Sequence, residues 1–198
     1  MDDPEQAILE ATYRALCEHG YAELTVQRIA DESDLSKATI HYHYDSKNRL
    51  FMRFLEYLYE RYSDRLDDVS GGTARDRLDA LLTMELTDAE TDPDINFQTA
   101  MLEVRAQAPY DEDIREMLNA FDEALVSRLR ETIADGVDAG EFDDGVEPGM
   151  AADHLATTIR GAHTRHVAVR HPLDRSYETA RTYVETYLVD GSAPEVTA

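Results

Sequence analysis

A chain of 198 residues has room for one large domain or two small ones sharing a long helix. It carries 42 acidic side chains against 19 basic ones, a formal net charge of −23, which is an unusual balance for a nucleic-acid binder. No apolar run is long enough to cross a membrane, the opening MDDPEQ is acidic where a secretion signal is basic, and the single cysteine, Cys17, excludes an intrachain disulfide, so cytoplasmic residence without a membrane partner is expected.

Helical periodicity begins at once. Ile8, Ala11, Ala15 and Leu16 recur at helical spacing, and Gly20 follows where a left-handed cap is wanted. Thr25 is placed to cap a second helix with Val26, Ile29 and Ala30 as its buried stripe. A turn at Ser33-Asp34-Leu35 leads to Ser36, a second good cap. The third helix, roughly Lys37 to Tyr42, offers only Ala38 and Ile40 as apolar anchors. Lys37, Thr39, His41, Tyr42 and His43 must then face something wet or charged. Two short helices joined by a tight turn, the second with polar residues to spare, are the pattern of a helix–turn–helix whose second helix enters a DNA groove.

Ser46 caps a long fourth helix with Leu50, Phe54, Tyr57 and Leu58 inside, which stops before Val69-Ser70-Gly71-Gly72. Leu78, Leu81, Leu82 and Leu86 mark a fifth, ending before Asp92-Pro93. Phe97, Met101, Leu102 and Arg105 mark a sixth, stopped by Pro109. A long seventh runs through Ile114, Met117, Leu118, Phe121, Leu125, Leu129 and Ile133 into the Gly136–Gly145 region. Pro148 opens an eighth, carrying Leu155, Ile159, Ala162 and His166, and Tyr177, Ala180, Val184, Tyr187 and Leu188 mark a ninth. No strand pattern competes, so the fold class is all-α. Residues 191–198 read as a flexible tail.

The segment LTVQRIADESDLSKATIHYHYDSKNRLFMR (residues 24–53) resembles the TetR family of transcription regulators. The resemblance is carried by Leu24-Thr25, Ile29-Ala30, Leu35-Ser36, Thr39, Tyr42-His43 and Ser46-Lys47, in order and at matching spacing. Asp34 stands where the family usually has Gly, which implies a left-handed residue that Asp tolerates better than most. His41 replaces a common Tyr, and Tyr44 a usual Phe. The resemblance implies a nine-helix architecture: a helix–turn–helix DNA-binding domain over residues 1–47, and a ligand-binding and dimerisation domain over 48–190. It further implies a homodimer on a palindromic double-stranded DNA operator, acting as a repressor and released by a small, hydrophobic, unidentified effector. Thr25 and Lys47 would grip phosphates at helix N-termini, Lys37 and Thr39 would read bases, Tyr42 and His43 would bond phosphates, and Gln27, Ser36, Ala38 and His41 complete the DNA-facing set.

Implied dimer contacts are Ala151, Leu155, Ile159, Ala162, Tyr183 and Tyr187, with burial inside the chain as the alternative. Implied effector contacts are Phe97, Met101, Met117 and Phe121 as an apolar wall, with Arg105, Thr158 and His163 as polar groups; a plain packed core is the alternative. No metal or other cofactor is expected. His41 and His43 lie on different helix faces, and His163 with His166 lacks a completing acid. Nor is catalysis expected: Glu85 with Asp88, and Asp143-Asp144, read as solvated acids rather than paired carboxylates. The rival reading is a helix–turn–helix adaptor or architectural protein that needs no ligand.

Charge sharpens this picture. The chain has only two lysines, Lys37 and Lys47, and both fall in the helix–turn–helix region. Residues 24–53 hold five basic side chains (Arg28, Lys37, Lys47, Arg49, Arg53) against four acids (Asp31, Glu32, Asp34, Asp45), a net of about +1. The rest of the chain therefore carries about −24. Abundant acid with scarce lysine is the composition expected of a protein working in molar intracellular salt, as in halophilic archaea.

Overall fold

The computed structural model describes residues 4–87 and 95–191. Nine α-helices and one π-helical turn account for its regular structure, and no strand occurs among the described residues. These residues form two compact units. One holds 4–62 with 95–121, the other 63–87 with 122–191.

The first unit is built on α1 (Pro4–His19), whose buried stripe is Ile8, Leu9, Ala11, Ala15 and Leu16. Gly20 ends it with φ +72, as the spacing predicts, and its N–H bonds the Leu16 carbonyl at 2.9 Å. The short helices α2 (Val26–Asp31) and α3 (Lys37–His43) follow, and α4 (Lys47–Asp68) begins behind them. Phe51, Phe54 and Leu55 of α4 are fully buried in the same core as Ile29, Ile40 and the α1 stripe. Each such side chain contributes roughly 1.5–3 kcal/mol through burial.

That core reaches beyond the first four helices. Helix α6 (Ile95–Gln107) packs on α1, inserting Ala100 and Val104, and Ile114 adds to it from the start of α7 (Glu112–Asp138). Phe97 lies against Tyr13 with ring centroids 4.9 Å apart. Glu103 accepts a hydrogen bond from the Tyr21 N–H at 2.8 Å, and its carboxylate lies so close to Gly20 that any Cβ there would sit 2.8 Å from an oxygen. The left-handed turn is what calls for glycine just past α1, and a side chain there would also push the Glu103 carboxylate aside.

The second unit packs α5 (Ala74–Leu86) against α9 (Leu173–Tyr183), and α8 (Pro148–Val169) against both. Thr73 and Asp76 form a reciprocal capping box at the start of α5. These hydrogen bonds from Thr73 hold the Asp76 carboxyl below its ordinary value. Glu147 caps α8 one residue before Pro148, and α8 closes on Arg170 at φ 54. The uniform ninth helix expected from the apolar spacing is instead α9 followed by a π-helical turn, Val184–Val189. Val184 and Leu188 are both buried in it, and the Leu188 carbonyl accepts from the Asp143 N–H at 2.7 Å. The expected stop at Asp92-Pro93 and all but the first residue of the expected tail lie outside the described residues.

Candidate nucleic-acid interface

Both predicted caps form. The Arg28 N–H donates to Thr25 Oγ1 at 3.2 Å, opening α2, and the Thr39 N–H donates to Ser36 Oγ at 3.1 Å, opening α3. Ser46 does the same for α4, accepting from the Arg49 N–H at 3.2 Å. The turn between α2 and α3 departs from expectation at Asp34, because Arg170 is the only non-glycine residue with positive φ among those described. Ser33 closes the turn instead: its hydroxyl donates to the Ala30 carbonyl and accepts from the Leu35 N–H, both at 3.2 Å. A side-chain turn of this kind removes the need for a left-handed residue.

Helix α3 is held from one side only. Ile40 is completely buried, and Tyr44, just past the helix end, is 7 % exposed. Ala38, expected as a second anchor, is exposed, so it belongs to the outward face. Ser36, Lys37, His41 and His43 are exposed with it, Thr39 is half-buried, and Tyr42 is 86 % exposed. A phenol held that far into solvent has no part in the core. Thr25 and Gln27 are exposed on α2, where the Gln27 amide donates to Asp31 at 2.8 Å.

Lys47 is half-buried, its ammonium 4.9 Å from the centre of the Tyr21 ring. This burial lowers its pKa from the ordinary lysine value. The same Tyr21 ring lies 4.8 Å from Phe51. Burial, and then the charge of Asp111, raise the Tyr21 phenol, so it is neutral beneath the ammonium. Neither Tyr21 nor Glu103 was expected to matter. The sequence signal available for Tyr21 was an aromatic residue directly after the helix-ending glycine; for Glu103, 82 residues away, there was none.

Of the expected effector contacts, Phe97, Met101 and Met117 are half-buried against the core that contains α1, and Phe121 meets Tyr59 edge-on at 5.3 Å and Tyr62 at 5.6 Å. Arg105 is half-buried in the same unit. Thr158 and His163 belong to the other unit, where the Thr158 hydroxyl donates to the His154 carbonyl at 2.9 Å and the His163 ring bonds the Glu85 carbonyl at 2.7 Å. A groove in that unit is lined by Asp122, Glu123, Val126, Ser127, Arg130 and Asp153, none of them among the expected contacts.

The expected dimer contacts need correction in part. Ala151, Leu155, Ile159 and Ala162 are buried within the single chain, because α8 already packs on α5 and α9, and so they present no free surface. What α8 and the end of the ninth helix expose is an aromatic row: His154 stacks on Tyr183 at 4.0 Å, and Tyr183 lies 5.2 Å from the exposed Tyr187.

A three-helix head with a capped, outward-facing third helix defines the class of helix–turn–helix, DNA-binding transcription regulators. Comparison with known proteins agrees. The model for bacterial regulatory proteins of the tetR family matches residues 8–53, and that for the C-terminal part of BetI-type transcriptional repressors matches 74–189. The chain belongs to the TetR family. A TetR transcription regulator from Haloarcula marismortui ATCC 43049 is 40% identical, covering 95% of this chain and 100% of its own, with a TM-score of 0.88. A transcriptional regulator from Saccharomonospora viridis, solved in complex with choline, is 25% identical over 94% of this chain and 97% of its own, with a TM-score of 0.82. The HTH-type transcriptional regulator PksA of Bacillus subtilis (strain 168) is 24% identical over 191 residues, 92% of this chain and 89% of that protein. No helix among the described residues is long and apolar enough to cross a membrane.

Proposed function

We propose that this regulator binds a palindromic operator as a homodimer, represses from it, and is released by a small ligand. The observation that carries the reading is the outward face of α3: a polar and aromatic surface with no structural task, beside the chain's only two lysines. In this reading Lys37 and Thr39 meet base edges, and Thr25, Tyr42, His43 and Lys47 hold phosphates, with Gln27, Ser36, Ala38 and His41 at the margins. Two copies are needed to read both half-sites, roughly 34–36 Å apart. The aromatic row of His154, Tyr183 and Tyr187 supports a dimer contact on α8 and the ninth helix.

Release follows from the shared core. A ligand that shifts α6 acts on the Glu103–Tyr21 bond and on the packing of Phe97 against α1; Tyr21 in turn seats Lys47. A differential affinity of only ~1–3 kcal/mol between the two states lowers operator affinity about 5–150-fold. Phe97, Met101, Met117 and Phe121 suit an apolar ligand. The ring cluster Tyr59, Tyr62 and Phe121 also suits a quaternary ammonium, which makes choline, bound by the Saccharomonospora relative, worth screening beside apolar compounds.

The test is selection of bound fragments from a random duplex pool, then fluorescence anisotropy on the selected site. Replacing both Lys37 and Lys47 with alanine is expected to cost about 2–4 kcal/mol of operator affinity in total, with folding intact. Unchanged affinity for the selected palindrome in that double variant would end the reading.

A further inference from the structure

Away from α3, three side chains of metal-ligating type meet where α1 and α2 end. Glu18 and His19 are the last two residues of α1, and Glu32 is the C-cap of α2. One ligand atom from each, two carboxylate oxygens and an imidazole nitrogen, lie within 4.8 Å of one another. We propose that this trio binds one divalent transition-metal ion, of the class of zinc, nickel, cobalt or manganese, and that the bound ion braces the turn leading into α3.

The donor set selects the class. One imidazole with two carboxylates suits first-row transition metals, whereas magnesium and calcium favour oxygen alone. The geometry is within reach. Donors around a tetrahedral ion with bonds of about 2.1 Å stand about 3.4 Å apart, so closing the trio takes little more than a side-chain rotation. Neither Glu18 nor the His19 ring has a hydrogen bond or ion pair with a described residue to break, and Glu18 is exposed. His19 and Glu32 are half-buried, which limits the freedom lost on binding.

The electrostatics point the same way. Helices α1 and α2 both end at this place, so the negative ends of two helix dipoles converge on it. One cation already answers that field: Arg14 donates to the Glu32 carbonyl at 2.7 Å, with its Nε 3.9 Å from the Glu32 carboxylate. Two carboxylates against one guanidinium leave an uncompensated negative charge. An ion there ties the end of α1 to the residue immediately before Ser33, whose hydroxyl closes the turn into α3. The binding claim is independent of the DNA reading; only its consequence for operator affinity rests on it.

The experiment is isothermal titration of untagged full-length protein with nickel, manganese, zinc and magnesium chlorides in separate runs. Histidine side-chain NMR is recorded on the wild type during manganese addition. Expected are one equivalent of nickel or zinc, little magnesium uptake, and His19 as the first of the seven histidines to broaden. His19→Ala and Glu32→Gln each weaken binding about tenfold or more. Arg14→Gln strengthens it, a sign that loss of structure would not produce. Absence of saturable nickel or zinc binding at millimolar concentration overturns the site. So does binding unaltered in His19→Ala, magnesium bound as tightly as nickel, or broadening that starts at another histidine. If His19→Ala fails to fold, the wild-type broadening pattern decides. Metal binding that leaves operator affinity unchanged retains the site and removes the brace. A protein that binds metal but selects no DNA fragment refutes the regulator reading alone.

Discussion

The helices of the segment 24–53 start differently from most of the others in the molecule. Helices α1, α5, α7 and α9 carry acids in their first turn (Glu5; Asp76; Glu112 and Asp113; Asp174), and α8 is capped by Glu147. These acids face the positive end of a helix dipole and stabilise it. Helices α2, α3 and α4 have none, nor does α6, but α3 and α4 alone of these begin with a lysine, Lys37 and Lys47. A cation there opposes folding by about 0.3–1 kcal/mol. Neither lysine forms an ion pair with a described residue, while arginines nearby do: Arg28 with Glu23 at 2.8 Å, Arg49 with Asp45 at 3.1 Å, Arg53 with Glu5 at 2.9 Å. In a chain with more than two acids per base, two helix starts whose lysines make no ion pair with a described residue fit the proposed contact with DNA.

The contrast can be inverted by substitution. Lys37→Glu with Lys47→Glu gives α3 and α4 the acidic starts of α1, α5, α7 and α9. Operator affinity is expected to fall more than a hundredfold, about 3 kcal/mol or more, while thermal stability holds or rises slightly. A fall in melting temperature with DNA binding retained would reverse the interpretation of those helix starts.

Salt gives the next largest effect. With few unpaired cations facing DNA, affinity should decline with a log–log slope shallower than the about −5 to −9 of a protein making six to ten phosphate contacts. At molar salt, screening within about 3 Å also silences repulsion from the acidic remainder. A titration of operator from low to molar potassium chloride distinguishes this from a steep, continuous loss.

The half-buried position of Lys47 predicts a smaller effect. Its lowered pKa means that the ammonium is lost at a lower pH than for an ordinary lysine, so phosphate contact weakens as pH rises through that value. Anisotropy between neutral pH and about pH 10 should show a few-fold alkaline decline in the wild type that Lys47→Arg, always charged, abolishes. An identical decline in both proteins would place the titrating group elsewhere.

The smallest effect belongs to Asp76, the acid that α5 does have. Its carboxyl is depressed in the folded protein, chiefly by the hydrogen bonds from Thr73, so its stabilisation is full above the unfolded value of 3.8 and disappears as pH falls through the folded value. Asp76→Asn should therefore melt slightly earlier than the wild type at neutral pH, with the gap closing in acid. A gap that persists unchanged at low pH would mean that the charge is not what Asp76 contributes.

Much of the head was legible because its signals are local. Thr25, Ser36, Ser46 and Gly20, and outside the head Pro148, act through neighbours within a helical turn, and each occupies the place that spacing assigns. Asp34 leaves the turn's conformation open in the sequence, because a second local device, the Ser33 hydroxyl, closes the same turn without a left-handed residue. Long-range features were not legible. An apolar stripe such as Ala151, Leu155, Ile159 and Ala162 states that a helix face is covered, not by which chain; here its own chain covers it. Glu32 lies 13 residues beyond His19 with a turn and a helix between them, so their meeting depends on tertiary packing. Phe97 and Met101 look the same from spacing whether they line a ligand cavity or lean on α1.

The bond from the Tyr21 N–H to Glu103 has a practical consequence for building chimeric regulators. A cut near the start of α4 would transplant α3 intact yet strip the α1 stripe of Ala100, Val104 and Ile114, and leave the Tyr21 amide without its acceptor. A portable cassette has to be discontinuous, carrying residues 95–121 along with the first 62.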